Sequence, residues 1–75
     1  MSGIEIGETA GRIWQHLAKS GPTVIKDISK SVGVDRELAL MALGWLAREE
    51  KVKFETKGKD VVVSLTDGEL KHIRS

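Results

Sequence analysis

Ser31-Val32-Gly33-Val34, followed by Asp35-Arg36-Glu37-Leu38-Ala39-Leu40-Met41-Ala42-Leu43-Gly44-Trp45-Leu46, sets the architecture of the chain. Gly33 supplies a positive φ at little steric cost, and Asp35 is placed to cap a new helix that has Glu37 in its first turn. The pattern is a helix, a tight turn and a second helix. Upstream, Thr23 is positioned to cap a short helix over residues 24–31 that turns Val24, Ile25 and Ile28 inward. Downstream, the long helix runs to about Glu50, and Lys51 leads into an alternating strand, Val52-Lys53-Phe54-Glu55-Thr56. Lys57-Gly58-Lys59-Asp60 forms a hairpin loop, and Val61-Val62-Val63-Ser64-Leu65 is the returning strand.

Further out, Ala10, Ile13, Trp14, Leu17 and Ala18 fall at i, i+3, i+4, i+7 and i+8, which predicts a first helix from about Glu8 to Lys19, ended by Gly21-Pro22. Trp14 is expected in the core. Ile4 and Ile6 alternate with Gly and Glu, as in a short edge strand or a flap over the core. Thr66-Asp67-Gly68-Glu69 has capping-box spacing for a short terminal helix, while Gly68 favours a frayed tail over 66–75. Three helices followed by a hairpin define a mainly α chain with a small β-hairpin (α+β), a winged helix-turn-helix with a two- or three-stranded wing. One domain is expected over 1–75, with its core at about 8–65.

A chain of 75 residues buries only about 60% of the surface its unfolded form exposes. It has no Cys, hence neither a disulfide framework nor a thiolate zinc site, so association with another chain is the expected support. Twelve Lys plus Arg against eleven Asp plus Glu leave a net charge of +1, which attracts nucleic acid or anionic lipid weakly. No apolar run approaches the roughly 18 residues of a membrane span, and no secretory leader pattern opens the chain. A cytoplasmic, soluble protein is expected.

Ala39, Ala42, Leu43 and Leu46, followed by Ala47-Arg48-Glu49-Glu50-Lys51-Val52, look like the end of the recognition helix and the first wing strand of winged-helix regulators. Gly7-Glu8-Thr9-Ala10-Gly11-Arg12-Ile13-Trp14 and Ala42-Leu43-Gly44-Trp45-Leu46-Ala47-Arg48-Glu49 further resemble a small family of stand-alone prokaryotic winged helix-turn-helix proteins of unknown function. That resemblance implies the fold, small size and a capacity to dimerise. It implies no substrate or ligand.

Ala39, Ala42, Leu43 and Leu46 share the face of the third helix expected on the core, which leaves Leu40, Met41, Gly44, Trp45 and Arg48 pointing elsewhere. A helix that reads DNA offers Arg, Lys, Asn, Gln, Ser or Thr at such positions. From Asp35 to Glu50 the charge is −2, with Arg36 and Arg48 against Asp35, Glu37, Glu49 and Glu50. Leu40, Met41, Gly44 and Trp45 are therefore candidate contacts with a second copy or another protein, Gly44 allowing close approach of backbones. The competing reading has the first helix and the carboxy-terminal tail cover this face within one monomer.

Lys51, Lys53, Lys57 and Lys59 on the wing, with Arg36 and Arg48, are the candidate contacts to duplex DNA. Glu55 and Asp60 offset the wing lysines, and an ordinary solvated hairpin accounts for them as well. Arg12, Lys19, Lys26 and Lys30 are scattered over two helices and form no stripe that spacing reveals. His16 and His72 lie in no ligand motif, and Ser29 and Ser31 have no neighbouring His, so neither a metal site nor a nucleophile is expected. Gly3, Gly7 and Gly11 suit turns, a cap and close helix packing. The chain is read as a non-catalytic module without cofactor or small-molecule ligand, which homodimerises or docks on a protein through its third helix. The alternative is a dimeric DNA-binding transcription regulator that uses the wing lysines.

Overall fold

The computed structural model describes residues 2–74; Met1 and Ser75, the ends of the domain expected over 1–75, lie outside the described residues. Seven elements follow in order: α1 (Gly3–Ser20), β1 (Thr23–Val24), α2 (Ile25–Val32), α3 (Arg36–Arg48), β2 (Val52–Lys57), β3 (Asp60–Leu65) and α4 (Asp67–Arg74). The strands form one antiparallel sheet in the order β1-β3-β2. Three helices and a three-stranded wing make the winged helix-turn-helix, and α4 is added at the end.

Helix α1 starts at Gly3, where the periodicity placed its start near Glu8. Ser2 accepts a hydrogen bond from the Glu5 N–H at 3.2 Å, a side-chain cap that stabilises the extra turn. Ile4 and Ile6 are therefore helical, not strand: Ile6 leans on the core and Ile4 stays exposed. Gly3, Gly7 and Gly11 lie inside this helix, and a Cβ on any of them would meet nothing within 4 Å. Neither turn duty nor close packing accounts for them, and nothing in the structure explains them.

Thr23 belongs to β1 instead of capping α2, because its hydroxyl donates to the Gly21 carbonyl at 3.0 Å and lies 3.2 Å from His16 Nε2. The cap of α2 is Val24, without a side-chain bond. At the turn itself, Gly33 has φ 70° and ψ 40°, the left-handed conformation expected of it, and the Arg12 guanidinium on α1 donates to the Val32 carbonyl beside it. Asp35 stands at the cap position of α3, where its carbonyl accepts from the Ala39 N–H and its side chain makes no capping bond.

In the hairpin Lys57 pairs with Asp60, so the loop is only Gly58-Lys59 where four residues were expected. Gly58 has φ 63° and Lys59 is not in the positive-φ region, as in a type II′ turn. Val52, Phe54 and Thr56 face the same side as their partners Leu65, Val63 and Val61. The core closes where Val52, Val63 and Leu65 of this face meet the helices around the fully buried Ile13, Leu17, Ile28 and Leu46, while Phe54, Thr56 and Val61 nearer the loop stay exposed.

Trp14 is half-buried at the edge of that core, not inside it, because its Nε1 donates to Glu69 Oε1 of α4 at 2.8 Å. The Thr66 hydroxyl donates to the Glu50 carbonyl at 3.0 Å, and the Thr66 N–H to the Lys51 carbonyl at 3.0 Å. These bonds hold the start of α4 against the turn that ends α3. The capping box is incomplete: the Thr66 carbonyl accepts from Glu69 and Leu70, but its hydroxyl is committed elsewhere.

Candidate interaction surface

Helix α3 buries Ala39, Ala42, Leu43 and Leu46, half-buries Leu38 and Ala47 at the two sides of that face, and leaves the outer residues exposed. At 100° per residue these four point one way, and Glu37, Met41, Gly44 and Arg48 lie along the opposite line, with Leu40 on one flank and Trp45 on the other. Leu40 is 44% exposed, Met41 49% and Trp45 40%. Among the described residues neither α1 nor α4 covers them. The four residues read from sequence as a protein contact therefore lie at the surface of a single helix.

The turn after α3 shapes one flank. Lys51 N–H donates to the Leu46 carbonyl and Glu50 N–H to the Ala47 carbonyl, with Glu50 left-handed at φ 57°, the bonding pattern of a Schellman stop. Lys51 is thereby folded back with its ammonium 5.7 Å from the centre of the Trp45 ring. It stands at the opposite end of the hairpin from the loop tip. Lys53 borders a cavity of about 170 Å³ beside Leu17, Pro22 and Leu70, also away from the tip.

The remaining cations divide between two places. Arg48 lies on the outer line of α3. Arg36, Lys59 and Lys26 line an open cleft of about 240 Å³ together with Val24, Ile25, Asp60 and Val61, and Lys26 Nζ is 3.2 Å from Asp60 Oδ1. Lys57 pairs with Asp60 across the hairpin next to this cleft. The spacing of Lys26 assigns it to no site. Lys26 lies on α2, Arg36 on α3 and Lys59 in the hairpin loop, and no local pattern connects them.

His16 is half-buried and joins α1 to β1 through Thr23, and the Ser31 hydroxyl donates to the Asp27 carbonyl. Among the described residues no three His, Asp or Glu side chains cluster in a way that could hold a metal ion. No helix among them is long and apolar enough to cross a membrane.

A winged helix-turn-helix pattern matches residues 1–65. The chain belongs to the winged helix-turn-helix domain family DUF2582. Protein MJ1608 of Methanocaldococcus jannaschii, described as uncharacterized, is 39% identical over 64 residues, which span 81% of this chain and 90% of that protein. The solution structure of BT2368 from Bacteroides thetaiotaomicron is similar at a TM-score of 0.77 and 31% identity, over 87% of this chain and 79% of the other. The Zalpha domain of Carassius auratus PKZ, solved in complex with Z-DNA, shares the fold at a TM-score of 0.73 and 23% identity, over 81% and 97% of the two chains. Transcription regulators share it as well.

Proposed function

We propose that this DUF2582 domain is a non-catalytic module that docks on a protein surface, a second copy of itself or another chain, through the outer face of α3. The observation that carries this reading is the exposure of Leu40, Met41 and Trp45 together on one helix. A duplex would meet three apolar side chains where base edges and phosphates need hydrogen-bonding groups. Trp45 is the expected anchor, since Trp is enriched among residues that dominate protein interfaces.

The test is capture of partners from the native cell with wild type and Trp45→Lys, alongside sedimentation of both purified proteins. Wild type is expected to retain a protein, this chain or another, and Trp45→Lys to weaken that binding by at least about 2 kcal/mol, roughly thirty-fold. Equal retention by the variant, or recovery of nucleic acid alone, overturns the reading.

A second reading, a DNA-binding regulator, is favoured by the convergence of Arg36, Lys26 and Lys59 on the wing cleft and by the fold shared with the Z-DNA complex and the transcription regulators. Here the wing and the adjacent ends of α2 and α3 hold phosphates, and α3 contributes little. Fluorescence anisotropy with a mixed-sequence duplex at low salt separates the two readings. Binding that falls steeply with salt, and falls further in Lys57→Ala/Lys59→Ala, supports the regulator; absence of binding removes it.

A further inference from the structure

The cavity of about 170 Å³ that Lys53 borders lies between the end of α1, the sheet and α4. Its walls are apolar: Leu17 of α1, Pro22 in the loop that follows, Leu65 at the end of β3 and Leu70 of α4. Leu17 and Leu65 belong to the buried core, whereas Leu70 is exposed. Helix α4 is fastened by polar bonds near its start, from Trp14 Nε1 to Glu69 Oε1 at 2.8 Å and from the Thr66 hydroxyl to the Glu50 carbonyl at 3.0 Å. Leu70 thus closes one side of the cavity without filling it. An unfilled apolar gap forfeits the dispersion contacts that its lining could make.

Two polar side chains, Lys53 and Ser64, stand at this cavity. They are directly opposed in the hairpin register, which brings their Cβ atoms within about 5.5 Å. Neither has a partner among the described residues: Lys53 enters no ion pair, not even with Glu55 two residues along the same face of β2, and the Ser64 hydroxyl makes no hydrogen bond. An ammonium and a hydroxyl can both donate. The group that satisfies them together is a carboxylate, whose two oxygens accept separate bonds.

We propose that this cavity binds a small monocarboxylate with an apolar body of about six carbons. The carboxylate bridges Lys53 Nζ and Ser64 Oγ, and the body lies among Leu17, Leu65 and Leu70. The size follows from the volume, since a cavity of about 150 Å³ lined by apolar side chains takes up benzene. Acetate has no body to reach the leucines, and an alcohol of the same shape lacks the charge that Lys53 selects. A bound ligand adds contacts between α4 and the sheet, so it holds the helix more firmly. None of these residues lies on α3, and the site is independent of docking through that helix.

The experiment is an amide NMR titration of the full chain with hexanoate and with benzoate, one for each kind of apolar body, beside hexanol and acetate. At neutral pH at least one of the two larger carboxylates is expected to shift the amides of Lys53, Ser64, Leu65 and Leu70 saturably at millimolar concentration, with hexanol and acetate each about ten-fold weaker. Hydrogen exchange within α4 is expected to slow in the bound form. Lys53→Gln, a change at an exposed residue without an ion pair, is expected to weaken the carboxylate about ten-fold and leave hexanol unchanged. Leu70→Ala, which removes one wall, weakens both, and the Trp14 indole N–H resonance reports that α4 stays in place. No saturable shift at these amides, or shifts spread evenly over the surface lysines, overturns the site. Hexanol binding as tightly as the carboxylates, with no effect of Lys53→Gln, overturns the carboxylate as ligand. Either failure leaves docking through α3 untouched.

Discussion

Leu43→Ala is expected to lower the unfolding free energy by about 3 kcal/mol, and Leu40→Ala, three residues earlier on the same helix, by less than about 1 kcal/mol. The chemistry of the two changes is identical, so the difference measures environment alone. Leu43 is 2% exposed within the cluster that includes Ile13, Leu17 and Leu46, and its truncation removes buried methyl groups and leaves a cavity between tightly packed helices. Leu40 already faces water, and Ala is the better helix former. For a domain of this size, with a total stability of roughly 4–11 kcal/mol, the first change removes a large fraction and the second little. Chemical denaturation of both variants in dilute solution is the check. Comparable losses at the two positions would mean that the outer face of α3 is covered, and the docking proposal would go with it.

Gly21→Ala is expected to destabilise the fold by about 2 kcal/mol, through backbone conformation and not through crowding. Gly21 has φ 80° and ψ −164°, a region that side chains with a Cβ rarely occupy, although a Cβ there would meet nothing within 4 Å. The conformation is held from both sides. Its N–H donates to the Leu17 carbonyl at 2.9 Å, closing α1, and its carbonyl accepts from the Thr23 hydroxyl, starting β1. Ala must either adopt the strained backbone or release those bonds. Gly44 is the opposite case, helical and open, so the same substitution there stabilises the monomer. A pair of denaturation curves showing the same sign at both positions would contradict this account.

Much of the interior was legible from spacing. Ala39, Ala42, Leu43 and Leu46 are buried as their periodicity requires, as are Ala10, Ile13, Leu17 and Ile28. Gly33 takes the left-handed turn between α2 and α3 for the steric reason evident in the sequence. The same periodicity exposes Leu40, Met41 and Trp45, so the candidate face of α3 followed once its inner face was known. The first turn of α1 was less legible because Gly3 and Gly7 argue against a helix that the Ser2 cap nevertheless extends to them.

Other features depend on contacts between remote parts of the chain. Helix α4 is held by Trp14 meeting Glu69 and Thr66 meeting Glu50, although Gly68 weakens its local propensity. The cationic cleft exists because the wing tip folds back beside the starts of α2 and α3, bringing Lys59 near Arg36 and Lys26. The turn after α3 lays Lys51 over Trp45, at the far end of the hairpin from Lys57 and Lys59. The apolar side of each helix is legible along the chain, because it depends on a repeat of 3.6 residues and on local sterics. Which cations share a cleft and what secures the last helix are not, since distances between residues far apart in the chain are set when the core closes.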